Sequence, residues 1–152
     1  MNEYLDACLR LARAQALLVK RFDHQLGRLH GLSFADFQLL QQLGGAPGGR
    51  MRRVDLAAAL GLTASGVTRS LGPLERIGLV EREPDPRDAR VAYAALTDAG
   101  RERLQHAEKA AGQLAASVLT GGEWAEGDVP ALAGYLTRLG GTGLPERPAA
   151  QD

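Results

Sequence analysis

Apolar residues at Leu5, Leu9, Ala12, Ala16 and Val19, continued by Leu26 and Leu29, recur at three- and four-residue steps. That is the period of one helix face, and it predicts a long amphipathic helix ending near Gly31. Ser33 is placed to cap a second helix carrying Phe34, Phe37, Leu39, Leu40 and Leu43, because a serine oxygen accepts a first-turn N–H. The run GGAPGG (44–49) predicts a loop.

Two shorter helical patterns follow in RRVDLAAALGLTASGVTRSL (52–71). Val54, Leu56, Ala57 and Leu60 form the first, Gly61 stops it, and Thr63 caps the next. A helix, a tight glycine turn and a second capped helix make a helix-turn-helix. The second helix is expected to turn Val67, Leu71, Leu74 and Ile77 inward and to present Ser65, Thr68, Arg69 and Arg76 outward. It also contains Gly72–Pro73, a pair that costs about 1 and about 3 kcal/mol in a helix interior. Pro73 removes a bond to the Arg69 carbonyl and crowds it. Gly72 lacks the Cβ that would meet the proline ring. One continuous, kinked helix is therefore expected, with a true break at Gly72–Pro73 as the alternative.

LVERE (79–83) and VAYAAL (91–96) read as strands, and the charged connection PDPRDAR (84–90) is long for a turn. A charged β-hairpin directly after a helix-turn-helix is a wing. Thr97 is placed to cap a helix over 98–120 with Leu104, Ala107, Ala111, Leu114 and Val118 on one face, and Gly121–Gly122 stop it. Asp128 is placed to cap a last helix through Leu139, which carries Leu132, Tyr135 and Leu136; Pro130 is acceptable in its first turn. Residues 141–152 are expected to form a disordered tail.

These elements give a mostly α fold with a small β-hairpin wing (α+β): a winged helix-turn-helix lobe at 33–97 flanked by helical regions at 1–32 and 98–140. The flanking helices carry more apolar surface than one small lobe can cover. They are expected to bury it against a second copy, forming a homodimer; a compact monomeric bundle is the alternative.

Composition narrows the function. With 152 residues, 45% apolar and 24% charged, the chain has ordinary globular composition. Its apolar runs are too short for a membrane span, its N-terminus lacks a signal-peptide core, and a single cysteine suits a reducing cytoplasm. His24, His30 and His106 are scattered, without the paired spacing of a metal site. No nucleophile motif or phosphate loop points to catalysis. No enzyme activity, metal or cofactor is expected. Net charge is zero, yet between residues 50 and 76 five arginines (Arg50, Arg52, Arg53, Arg69, Arg76) face only Asp55 and Glu75. That imbalance favours an anionic partner for the middle of the chain.

In a helix-turn-helix the N-terminal half of the second helix enters the major groove. Ser65 and Thr68 can bond bases or phosphates, Thr63 can reach phosphate while capping, and Gly66 allows close backbone approach. Arg69 suits bidentate readout of guanine. Arg76 and Arg87 suit phosphate, while Asp88 can pair with an arginine and hold the wing in shape. Arg50, Arg52 and Arg53, read as the start of the preceding helix, can also meet the backbone. The competing reading, a winged helix that docks another protein without binding DNA, predicts a more apolar recognition face.

The run TASGVTRSLGPLERIGLVEREPDPRDARVAYAALTDAG (63–100) resembles the MarR family of bacterial winged-helix transcriptional regulators. The resemblance rests on the capped helix, LERIGLVER, DPRDAR and LTDAG in that order. It implies intertwined dimer helices and two lobes reading a pseudo-palindromic operator in double-stranded DNA. It also implies repression relieved by a small molecule, often aromatic or phenolic. Arg90 matches the family's wing arginine, which enters the minor groove, and Asp88 takes a structural role. The effector pocket falls between dimer helices and lobe, where Phe22, Phe34 and Phe37 are candidate lining residues and equally candidates for plain core. Cys8 lies near the position of a peroxide-sensing cysteine, giving a redox-responsive alternative in which Arg10 and Arg13 lower the thiol pKa. It sits one residue off that position, a rotation of about 100° around the helix. Asp23 stands where a phenolic partner belongs.

Overall fold

In the computed structural model, which describes residues 2–140, helix α1 runs from Glu3 to His30. The Asn2 side chain accepts the Leu5 N–H at 2.8 Å to start it, and Gly31 ends it in the left-handed conformation that favours glycine. Helix α2, Phe34–Gly45, opens on a capping box in which Ser33 and Asp36 exchange side-chain and backbone bonds, both at 3.0 Å. Asp23 on α1 adds a tie that the sequence did not advertise, accepting the Phe34 N–H at 2.7 Å. Helix α2 reaches two residues into the expected loop, and a 3-10 turn covers Pro47–Gly49.

Next comes an element that periodicity did not predict, strand β1 at Arg50–Arg52, followed by helix α3 at Arg53–Leu60. Helix α4 spans Ala64–Arg76, strands β2 and β3 span Val80–Pro84 and Ala92–Leu96, and helix α5 spans Asp98–Leu119. The strands form one antiparallel sheet in the order β1-β3-β2. Arg50 and Arg52 therefore belong to a strand rather than to the start of a helix. Three residues are too few to show alternation, and β1 exists because β3 offers it an edge, pairing Arg50 with Ala95 and Arg52 with Tyr93.

The core gathers between α2, α4, α5 and the sheet, with Leu40, Leu43, Leu56, Leu71 and Leu74 essentially inaccessible. Helix α4 is continuous through Gly72–Pro73. Ile77 departs from expectation: it is the C-cap residue and is 57% exposed. The helix ends at Arg76, Gly78 takes a positive φ, and Leu79 fills the inward place instead.

Thr97 caps α5 as expected, and its hydroxyl also donates to the Gly78 carbonyl at 2.6 Å. Arg103 on α5 donates to the His30 carbonyl at 2.8 Å, satisfying the end of α1. Helix α6, Asp128–Gly140, buries none of its residues. Asp128 is its first residue rather than its cap, and its carboxylate accepts the Ala125 N–H at 2.7 Å. Tyr135, Leu136 and Leu139 stand exposed on α6, as do Tyr4, Leu5 and Leu9 on α1. The tail at 141–152 lies outside the described residues. Among the described residues no helix is long and apolar enough to cross a membrane.

Candidate nucleic-acid interface

The α3–α4 turn is built by its two end residues. Gly61 adopts φ 66°, and the Thr63 hydroxyl accepts the Gly66 N–H at 3.0 Å. A Cβ on Gly66 would stand 3.2 Å from that hydroxyl, so Gly66 keeps the first turn close to its cap. Val67, Leu71 and Leu74 anchor α4 in the core, which turns Ser65, Thr68, Arg69 and Arg76 to solvent. The Thr68 hydroxyl donates to the Ala64 carbonyl at 3.1 Å, leaving its lone pairs to accept. Arg53 pairs with Glu75 at 3.5 Å. Among the described residues Arg69 and Arg76 form no ion pair. The outward face of α4 thus carries two hydroxyls and two guanidinium groups.

The wing is shaped by its own acids. The Asp85 carboxylate accepts the Arg87 N–H at 2.7 Å, and its backbone N–H donates to the Val91 carbonyl at 3.2 Å. Asp88 accepts the Arg90 backbone N–H at 3.0 Å, and the two oxygens of its carboxylate receive the Arg90 guanidinium at 3.1 and 3.2 Å. This fork holds the Asp88 pKa below its ordinary value, first through the side-chain bond to Arg90 and then through the backbone bond. The Arg90 side chain is nevertheless 91% exposed. It is aimed but not sequestered.

Over residues 30–91 the chain matches the sequence profile of the MarR family. It is 37% identical over 106 residues to the uncharacterized HTH-type transcriptional regulator YkoM of Bacillus subtilis, with 68% of each chain covered. The chain belongs to the MarR family. It is similar to the MarR-family regulator Sco3205 of Streptomyces coelicolor, solved in complex with DNA, at 25% identity, with a TM-score of 0.83 and coverage of 97% of this chain and 96% of that one. It is also similar to the M. tuberculosis regulator MOSR, solved in complex with DNA, at 28% identity, a TM-score of 0.74 and coverage of 88% and 92%.

In this MarR-family transcriptional regulator the remaining sequence-chosen residues fall elsewhere. Phe22 and Phe34 stack with ring centres 4.4 Å apart, Phe37 lies 6.3 Å from Phe34, and Phe22 and Phe37 are buried. The three rings tie α1 to α2. Cys8 is exposed on α1, and Arg10, one of the two arginines expected to act on it, is bonded to Asp6 at 2.6 Å. Among the described residues no group of side chains is arranged to hold a metal ion.

Sequence reasoning missed Asp85 and Tyr93. The Tyr93 hydroxyl donates to Asp85 at 3.4 Å, and the Arg50 guanidinium lies 4.6 Å over the Tyr93 ring while bonding Glu83 at 3.0 Å. The Arg52 pKa is raised, first by the neighbouring Tyr93 hydroxyl and less by the charges of Asp55 and Asp85. A signal was present in the alternation of VAYAAL, which puts Tyr93 on the face away from Leu96. Identifying its partners required the β1 pairing.

Proposed function

We propose that this regulator acts as a homodimer on a pseudo-palindromic duplex, with residues 33–97 as the DNA-reading lobe and residues 1–32 and 98–140 as the dimerisation region. The recognition face of α4 together with the Arg90 fork on the wing carries this reading. A lobe that docked a protein would expose apolar groups there, whereas this one exposes Ser65, Thr68 and Arg69. Arg69 sits on the second turn of α4, close enough to its N-terminus to reach a base edge, and Arg90 suits the minor groove. Thr63, Gly66, Arg76 and Arg87 supply backbone contacts, and Asp88 positions Arg90.

The dimer reading is supported by the unpartnered apolar faces of α1 and α6. We assign the regulator a repressor role in the cytoplasm, with release by a small, aromatic ligand acting near Phe22, Phe34 and Phe37, where movement between α1 and α2 would change the spacing of the two lobes. In-vitro selection of bound duplexes, repeated with candidate ligands, tests the whole reading. Half-sites about 10 bp apart, roughly 34–36 Å, are expected. Affinity should fall roughly 10³–10⁵-fold between about 50 and 200 mM salt if about 6–10 phosphates are contacted. A non-palindromic winner would contradict the dimer, and salt-insensitive binding would contradict DNA reading.

A further inference from the structure

The Asp88–Arg90 fork lies wholly within the wing loop, so it orients Arg90 relative to the loop but not the loop relative to the sheet. The exposed Arg90 side chain has no packing to fix it, and ordering a loop opposes conformational entropy. How Arg90 is presented therefore depends on how firmly the base of the loop is held. Asp85 is the residue at that base. Its backbone N–H donates to the Val91 carbonyl at 3.2 Å, and one oxygen of its carboxylate accepts the Arg87 N–H at 2.7 Å. The other oxygen accepts the Tyr93 hydroxyl at 3.4 Å. That bond leaves the loop and reaches strand β3.

Tyr93 is in turn held on the outer face of the sheet. Residues directly opposite one another in an antiparallel sheet share a face, so the row Arg52–Tyr93–Glu83 runs across all three strands. Arg50, two residues along β1, joins that face. Its guanidinium lies 4.6 Å over the Tyr93 ring and bonds Glu83 at 3.0 Å. A phenol whose ring is covered by a cation while its hydroxyl meets a carboxylate cannot swing without losing both contacts. We propose that Tyr93 is a positioning residue for DNA binding: with Arg50 over its ring, its hydroxyl fixes Asp85 and so the angle at which the wing carries Arg90. This rests on the DNA-binding reading above and adds to it a residue that acts through the wing without touching the duplex.

Tyr93→Phe in the full chain keeps the ring beneath Arg50 and removes the bond to Asp85. On the selected palindrome it should lower affinity about three- to tenfold. Arg90→Ala lowers affinity too, and the double variant should bind as Arg90→Ala does, within about twofold, because the brace then has no arginine to aim. Minor-groove readout favours narrow A·T-rich stretches, so flank preference gives a second readout that a general loss of stability would not move. Tyr93→Phe and Arg90→Ala should both flatten selection for A·T-rich flanks, and both should keep selection at the base read from α4. In the free chain, hydrogen exchange at the Arg87 amide should quicken about three- to tenfold in Tyr93→Phe, with the amides of Val67 and Leu71 in α4 unchanged. If the unaltered chain selects no duplex, the DNA reading fails, and the exchange measurement still decides whether Tyr93 holds the loop. Losses that multiply in the double variant, a flank preference that Tyr93→Phe retains, or unaltered exchange at Arg87 would overturn the proposal.

Discussion

Gly100 meets the backbone of Leu79 so closely that a Cβ at this position would overlap the Leu79 carbonyl oxygen and stand 2.9 Å from its carbon. The contact sits in the first turn of α5, where Thr97 already bonds both Gly78 and Leu79. It joins the exit of α4 to the first turn of α5. Helix propensity alone makes Gly100→Ala stabilising by about 1 kcal/mol. Overpacking against backbone makes it destabilising by about 1–3 kcal/mol. The close approach should win, and urea unfolding reads the sign directly. A neutral or stabilised variant would mean that α5 does not dock as described.

Arg69→Ala should cost about 1–3 kcal/mol of duplex affinity and relax selection at one position of each half-site. Arg76→Ala should weaken all sequences alike and reduce the salt slope by roughly 1. Fluorescence anisotropy over a salt series, on selected and scrambled duplexes, separates base readout from phosphate contact. Loss of equal size on both duplexes for Arg69→Ala would remove it from base reading.

Asp88 tests the wing through the sign of an effect. By charge alone, removing an acid from a loop proposed to face DNA should tighten binding. If Asp88 serves to aim Arg90, Asp88→Ala should weaken it. Its pH behaviour follows from the direction of the shift: the carboxyl titrates below its ordinary 3.8 in the fold. The aimed wing is therefore fully present above that value and is lost only as pH falls through the lower folded one. Duplex affinity should show no Asp88-dependent change between about pH 5 and 8. A loss on lowering pH within that window, absent from Asp88→Asn, would contradict the fork.

The helical layout was legible because caps and periodicity agree at nearly every boundary. Ser33, Thr63 and Thr97 each cap the helix they precede, and local bonds of this kind need no tertiary information. Gly72–Pro73 was also readable as part of one helix, since the lost bond and the missing Cβ lie within one turn. What escaped was non-local. Strand β1 is defined by its partner, and the Asp85–Tyr93 and Asp23–Phe34 bonds join residues eight and eleven apart across turns. Ile77 shows the same limit from the other side. Its spacing continues the apolar stripe, but Gly78 redirects the chain before that spacing can apply. Of the wing, Asp88–Arg90 was legible as a short-range pair, while the Arg50–Tyr93 stacking was not.

Cys8 should be silent as a peroxide switch. A reactive thiolate needs a nearby cation free to stabilise it, and Arg10 is bonded to Asp6 instead. Stoichiometric peroxide is expected to leave duplex affinity unchanged and equal to that of Cys8→Ser. A peroxide-dependent loss of binding that Cys8→Ser abolishes would establish the redox reading.

The apolar residues of α6 supply the last prediction. Tyr135, Leu136 and Leu139 are exposed within one chain, and several exposed apolar side chains on one helix mark an interface rather than ordinary surface. Leu136→Glu with Leu139→Glu should remove the dimer without unfolding the lobe, because α6 buries none of its residues there. Light scattering should then give the mass of one chain, and circular dichroism should retain its helical signal. Duplex affinity should drop by far more than one lobe's contacts, since two lobes joined in one dimer bind a palindrome with the benefit of effective concentration, about 10²–10⁴-fold. Binding to a half-site should persist at the weak level of a single lobe. A double variant that remains dimeric would place the interface elsewhere, and one that is monomeric yet binds the full palindrome as tightly would show that the two lobes do not act together.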